Sequence, residues 1–215
     1  MTTRSTLHDR TAAPSALLLT ALICVAAWFF ADITLTRYFN RFSGASWLGI
    51  WEAITLAGQS ELYLAGGLAL FLGLRRRNRR AAIVNLFLFT SVALSGLTTD
   101  ILKVLFGRAR PILLFEQDTF GMGWFHFEYE WTSFPSGHST TAMSVAVTLS
   151  LLWPRYRLFF LTGGVLVAAS RVVLCQHYLS DVVAGSMIGA VTALQLYQRL
   201  FTSKLDDVRN VSPKP

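Results

Sequence analysis

The sequence predicts an all-α fold, a polytopic membrane protein of six transmembrane helices with both termini cytoplasmic. Three observations carry that expectation. The 215 residues are 53% hydrophobic and only 14% charged, against roughly 25% charged in an ordinary soluble domain. Mean hydropathy is +0.47, so polar surface is too scarce for a soluble chain of this length. The apolar residues also gather into six runs near the ~20 residues that a bilayer core requires. With both termini placed on one side, that side receives thirteen of the nineteen Lys and Arg residues, and such an excess marks the cytoplasmic face.

The elements follow in order. A polar tail at 1–13, with Arg4 and Arg10, leads into an apolar run at 16–31. A charged start before an apolar run also fits a cleaved signal peptide. The same pattern continues downstream and no small-residue cleavage site follows, so an uncleaved first helix is expected. Residues 32–58 hold Arg37, Arg41, Trp47, Trp51 and Glu52; Trp favours the membrane boundary, so a loop with a short interfacial helix is expected. The second span covers 61–74 and ends at the basic cluster Arg75, Arg76, Arg77, Arg79 and Arg80; the third covers 81–106. A long connection at 107–134, rich in Trp, Phe and Tyr, precedes a fourth span that opens at Ser136 and stops at Trp153-Pro154. A Pro there cannot continue the helix. The fifth span is 158–175, the sixth 180–201, and a polar tail occupies 202–215. The whole is read as one domain over 1–215, with its motif-bearing core at about 80–201. The net charge of +7 lies in short clusters between apolar runs, and nucleic-acid binding needs a continuous basic face instead.

Six basic residues remain on the outer side: Arg37, Arg41, Lys103, Arg108, Arg110 and Arg171. Lys103, Arg110 and Arg171 stand beside polar motifs. The third span ends in Lys103 followed by Arg110-Pro111, the fourth opens with Pro135-Ser136-Gly137-His138, and the fifth-to-sixth junction carries Ser170-Arg171, His177 and Asp181. Ionisable groups beside hydrocarbon are costly and mark function by default. All three motifs fall at the same membrane face by the charge count, so they can converge on one pocket.

Phosphoryl transfer suits this set. Three cations can surround a tetrahedral dianion. A helix opening at Ser136 offers free N–H groups to phosphate, Gly137 permits close backbone approach, and the Ser136 hydroxyl can donate a hydrogen bond. One histidine must attack phosphorus as a neutral base while another protonates the leaving oxygen. Asp181, four residues after His177, can sit on the same helical face and orient that imidazole. This makes His177 the nucleophile, Asp181 its orienter and His138 the general acid.

The combination of Lys103, Arg110 and Pro111, then Pro135, Ser136, Gly137 and His138, then Ser170, Arg171, His177 and Asp181 resembles the type 2 phosphatidic acid phosphatase (PAP2) superfamily, in its integral membrane lipid phosphatase branch. The resemblance covers 80–195 by motif and the first two helices by layout. It implies cofactor-free, metal-independent hydrolysis of a lipid phosphate monoester or diphosphate through a phosphohistidine at His177. Lys103, Arg110, Ser136, Gly137 and Arg171 would bind the phosphate. Candidate substrates are phosphatidic acid, phosphatidylglycerophosphate, undecaprenyl diphosphate and lipid A, and a bacterial inner membrane with an outward-facing site is the expected setting. A lipid phosphotransferase and a non-catalytic anionic-lipid transporter remain alternatives.

Other residues have plainer readings. Asp100 and Lys103 can pair at i,i+3, Ser136 can act as a helix cap, and Arg108 is assigned to lipid headgroups or the loop. His126, Glu128 and Glu130 are read as a solvated acidic loop rather than a metal site. Trp124, Phe125, Phe127, Tyr129, Trp131 and Phe134 are placed in the headgroup layer. Gly185 and Gly189 have the small-xxx-small spacing of close helix packing, and Cys24 and Cys175 are read as packing residues.

Overall fold

The structure is a computed structural model and describes residues 12–211. The expected N-terminal tail, apart from Ala12 and Ala13, lies outside the described residues, as do 212–215. Ten α-helices follow one another: α1 Ala12–Phe30, α2 Asp32–Asn40, α3 Leu48–Thr55, α4 Ser60–Leu74, α5 Arg79–Phe106, α6 Pro111–Gln117, α7 Gly137–Leu152, α8 Arg157–Val173, α9 Leu179–Leu196 and α10 Thr202–Val211. There is no β-strand among the described residues; one isolated antiparallel bridge joins Arg108 to Met122.

The helix boundaries have local causes. Asn78 opens α5 by accepting the Ala81 N–H at 3.0 Å, and Gly107 closes it in the left-handed region at φ 50°, where glycine carries no Cβ penalty. Pro111 starts α6, where its missing N–H costs nothing. Ser136 caps α7, and Pro154 follows its end.

Among the described residues, three helical stretches, Arg79–Phe106, Pro154–Val173 and Leu179–Asp206, are long and apolar enough to cross a membrane. A fourth is added if Pro14–Phe30 and Asp32–Asn40, bent by 57°, form one span. The helices expected as the second and fourth spans, α4 and α7, have 15 and 16 residues. Two further expectations change. Residues 32–58 are mostly helical, as α2, α3 and a 3₁₀ turn at Leu56–Gly58. The tail is also helical over its described residues, since α9 continues through a π-helical turn at Tyr197–Phe201 into α10, Thr202–Val211. Phe87 stacks on Phe201 there at 4.7 Å, giving the polar segment an apolar anchor.

Helix α7 is the centre, packed on α5, α8 and α9, while α1 lies on α9 and α3 on α8. Its buried positions include Ser139, Thr140, Thr141, Ala142 and Ser144, and such small residues let backbones approach closely. Gly185 and Gly189 of α9 meet the Ser136 and Thr140 carbonyls so closely that a Cβ would collide with either. Thr99 of α5 bonds Thr140 at 3.0 Å, and the Ser136 N–H donates to the Asp181 carbonyl at 3.0 Å. These contacts bring the end of α5 and the starts of α7 and α9 together.

Candidate active site

Outside α6, the connection 107–134 is held by backbone bonds between its own segments. Ala109 N–H donates to Gly121 O at 3.0 Å, Arg110 N–H to Glu130 O at 2.8 Å, and Ser133 N–H to Arg108 O at 3.0 Å. The segment bearing Arg108 and Arg110 is thereby threaded between two others, and consecutive side chains serve different purposes. After α8 the chain turns at Cys175 with φ 51°. The Gln176 and His177 N–H groups then donate to the Arg171 carbonyl at 2.9 and 3.1 Å. That fold-back carries His177 next to the loop.

His177 is 2% exposed. Its Nδ1 lies 2.8 Å from the Ser133 carbonyl, which can only accept, so Nδ1 bears the proton. Arg110 Nη1 lies 3.4 Å from Nε2, and a guanidinium can only donate, so Nε2 presents a lone pair. Both neighbours demand the same tautomer. Burial, reinforced by Arg110 and opposed by Asp181, pushes the imidazole down to about 3 from its ordinary 6.5. It is therefore neutral at physiological pH, with a bare nitrogen toward a cation.

Asp181 stands 3.6 Å from Nδ1, beyond hydrogen-bond reach. The Nδ1 proton goes to the Ser133 carbonyl and not to Asp181, the expected orienter. Asp181 is instead held by other donors: Arg108 Nη1, Ser133 Oγ at 2.6 Å and the Tyr178 N–H at 2.9 Å. Its charge still faces the imidazole.

The cations are fixed individually. Arg110 donates to Tyr129 O at 2.8 Å, Thr132 O at 3.2 Å and Gln176 O at 3.3 Å, with its guanidinium 3.9 Å over the Tyr129 ring. Arg171 donates through Nη1 to Thr55 at 2.8 Å, and its buried Nε has no partner among the described residues. That donor is free for an anion. Lys103 makes a long contact to Asp100 at 3.4 Å, and its ammonium lies over the start of α7, where a Cβ on Gly137 would meet Nζ at 3.1 Å. The charges of Arg171, Lys103 and Arg110 all reach His138. Ser136 Oγ accepts from Ser139 N–H and Oγ at 3.5 and 3.0 Å, so it caps the helix beside the pocket. All eight expected site residues thus lie at one end of the bundle.

Sequence reasoning missed several neighbours. Ser133, Tyr129 and Thr55 hold the site residues through contacts across the fold, and Glu61, opening α4, is within electrostatic reach of His138. Gly58 packs under the His138 ring, where a Cβ would meet Cδ2 at 2.9 Å. For Arg108 the headgroup half of the expectation is corrected, because the side chain is fully buried, while the loop half stands in its contact with the Phe120 ring at 5.3 Å. His126 pairs with Glu128 at 3.0 Å and stacks on Trp131 at 4.6 Å.

The PAP2 superfamily model matches residues 85–204, which include every motif above. The chain belongs to the PAP2 superfamily. Among relatives of this PAP2 chain, a lipid A 1-phosphatase of Rhizobium etli is 40% identical over 106 residues, covering 49% of this chain and 46% of the relative. A PA-phosphatase related-family protein of Dictyostelium discoideum is 33% identical over 155 residues, covering 63% and 56%. The chain spans about half the length of these relatives. The fold is similar to that of Aquifex aeolicus LpxE, with TM-score 0.59, 20% identity and coverage of 78% of this chain and 94% of that one. It is also similar to a transmembrane PAP2-type phosphatidylglycerolphosphate phosphatase of Bacillus subtilis, with TM-score 0.58, 19% identity and coverage of 94% and 98%. A PAP2 chain with these apolar helices is an integral membrane protein.

Proposed function

We propose that the chain is a membrane lipid phosphatase that hydrolyses a lipid phosphate monoester or diphosphate at the outer membrane face through a phosphohistidine at His177. One observation carries this most directly: a buried, neutral imidazole with Nδ1–H committed to Ser133 and Nε2 bare beside Arg110. Nε2 attacks phosphorus, the bond from phosphorus to the ester oxygen breaks, and His138 gives that oxygen its proton. Water, deprotonated by His138, then attacks the phosphoryl group, releasing phosphate and restoring both histidines. Lys103, Arg110, Arg171 and the α7 N-terminus hold the phosphoryl oxygens as charge develops. No step calls for a metal ion.

A membrane-boundary site suits a substrate with its tails in lipid and its phosphate in water. The relatives named lipid A 1-phosphatase make a lipid A phosphate the first substrate to test, ahead of phosphatidic acid, phosphatidylglycerophosphate and undecaprenyl diphosphate. The decisive assay measures inorganic phosphate released from each purified lipid, in EDTA and with no acceptor lipid present. Wild type should turn over at least one of them, and His177→Ala should release none. Equal release by both proteins sinks the reading. Release that needs an added acceptor lipid makes the protein a transferase.

A further inference from the structure

Arg108 is the largest fully buried side chain among the described residues, yet the reaction above does not use it. Its Nη2 pairs with Asp32 at 2.7 Å, and its Nη1 bonds Asp181 and Ser180 Oγ at 2.6 Å. The guanidinium carbon lies 4.2 Å from the Trp28 ring centroid, 4.4 Å from that of Tyr178 and 5.3 Å from that of Phe120. Asp32 accepts from the Ser180 N–H at 2.9 Å and from Ser180 Oγ at 2.5 Å. It therefore also satisfies a free N–H in the first turn of α9. The 57° bend between α1 and α2 falls just before Asp32 and turns its carboxylate toward this cluster.

Resting on the phosphatase reading, we propose that Asp32 and Arg108 are positioning residues that hold Asp181 beside His177 and leave a net negative charge there. Arg108 pins one Asp181 oxygen, while Ser133 and the Tyr178 N–H pin the other. A carboxylate fixed this way can neither swing onto Nδ1 nor away from it. The charge balance explains why a second carboxylate is present. Arg108 alone would cancel Asp181, whereas the triad of two carboxylates and one guanidinium is negative overall. The imidazole becomes cationic as Nε2 forms its bond to phosphorus, and that negative charge favours it. Buried ions so paired are costly to assemble and cost more to break, which fits a role beyond fold stability. Neither Asp32 nor Arg108 touches the reacting atoms.

The test compares Asp32→Asn, Asp32→Glu and Thr36→Val with wild type and His177→Ala in detergent micelles, using dioctanoyl phosphatidic acid or whichever lipid proves active. Thr36 is a buried α2 residue whose hydroxyl has no partner among the described residues, so its variant controls for disturbance of that helix. Each variant is first shown to be folded by its melting temperature. Asp32→Asn should lower kcat, approaching the about 100-fold that follows a misplaced catalytic group, with KM and vanadate inhibition within twofold of wild type. Asp32→Glu should recover part of kcat, and Thr36→Val should match wild type. A folded Asp32→Asn with wild-type kcat, a loss seen only in KM, or an equal loss in Thr36→Val overturns the positioning role. If His177→Ala itself retains full turnover, the phosphatase reading fails instead, whatever Asp32 does.

Discussion

His177 has two properties that a measurement can separate, its tautomer and its low proton affinity. The Ser133 carbonyl and Arg110 fix the first, and burial dominates the second. The folded imidazole stays neutral down to about pH 3, while the unfolded one takes a proton near 6.5. Between those values the unfolded chain binds more protons, so stability falls as pH falls from 6.5 toward 3. Melting temperatures measured from pH 7 to pH 4 should therefore drop in wild type and drop less in His177→Asn. The same low affinity shapes catalysis: free His177 contributes no acid limb to kcat/KM near pH 6. Arg108 supplies a second test at this scale. Replacing it with Met leaves Asp32 and Asp181 buried without their shared cation, a loss of about 3–5 kcal/mol for a broken buried pair. It should appear as a large fall in melting temperature or as failure to accumulate.

At the scale of elements, the crossing of α7 and α9 positions the phosphate cap. Gly185 touches the Ser136 carbonyl and Gly189 the Thr140 carbonyl, so even Ala at either position must push the two helices apart. Overpacking of this kind costs about 1–3 kcal/mol. Gly185→Ala, beside Ser136, should lose more activity than Gly189→Ala at equal loss of melting temperature, because it displaces the helix start that faces phosphate. Equal activity losses would show that the crossing matters only for folding. The bend before α2 is the other informative element. Composition alone read 32–58 as a loop with a short interfacial helix, since its Arg and Trp residues look interfacial. The chain forms two helices there, α2 and α3, and Asp32 joins Ser180 and Arg108 across 148 and 76 positions.

Over the whole molecule, the site gathers at the bundle end opposite the Arg75–Arg80 cluster between α4 and α5. A reporter fused after residue 215 should be active only on the cytoplasmic side if the charge count gives the orientation. Cys substitutions at Phe127 should label from outside. The loop aromatics Trp124, Phe125, Phe127 and Tyr129 are exposed, as suits a segment in the headgroup layer. If they guide lipid tails, Trp124→Ala with Trp131→Ala should lower turnover of a long-chain lipid phosphate and spare a soluble phosphate ester. An equal change with both substrates removes that role.

The sequence by itself determined the helical class, the apolar helices to within a few residues and the superfamily, and it named eight residues that the fold gathers at one end of the bundle. Periodicity, Gly and Pro positions, and the rarity of charge in an apolar chain are local signals, and these features depend on them. Only the tertiary structure decided what each charge does. Arg108 and Arg110 are two residues apart, and no local signal tells the cation that pairs with Asp32 and Asp181 from the one beside His177. Asp32 looked like the start of a polar loop, and Ser133 acts through a carbonyl that every residue possesses. Pairing across such distances is set by where the bundle brings backbone and side chains together, and a linear pattern carries no record of it.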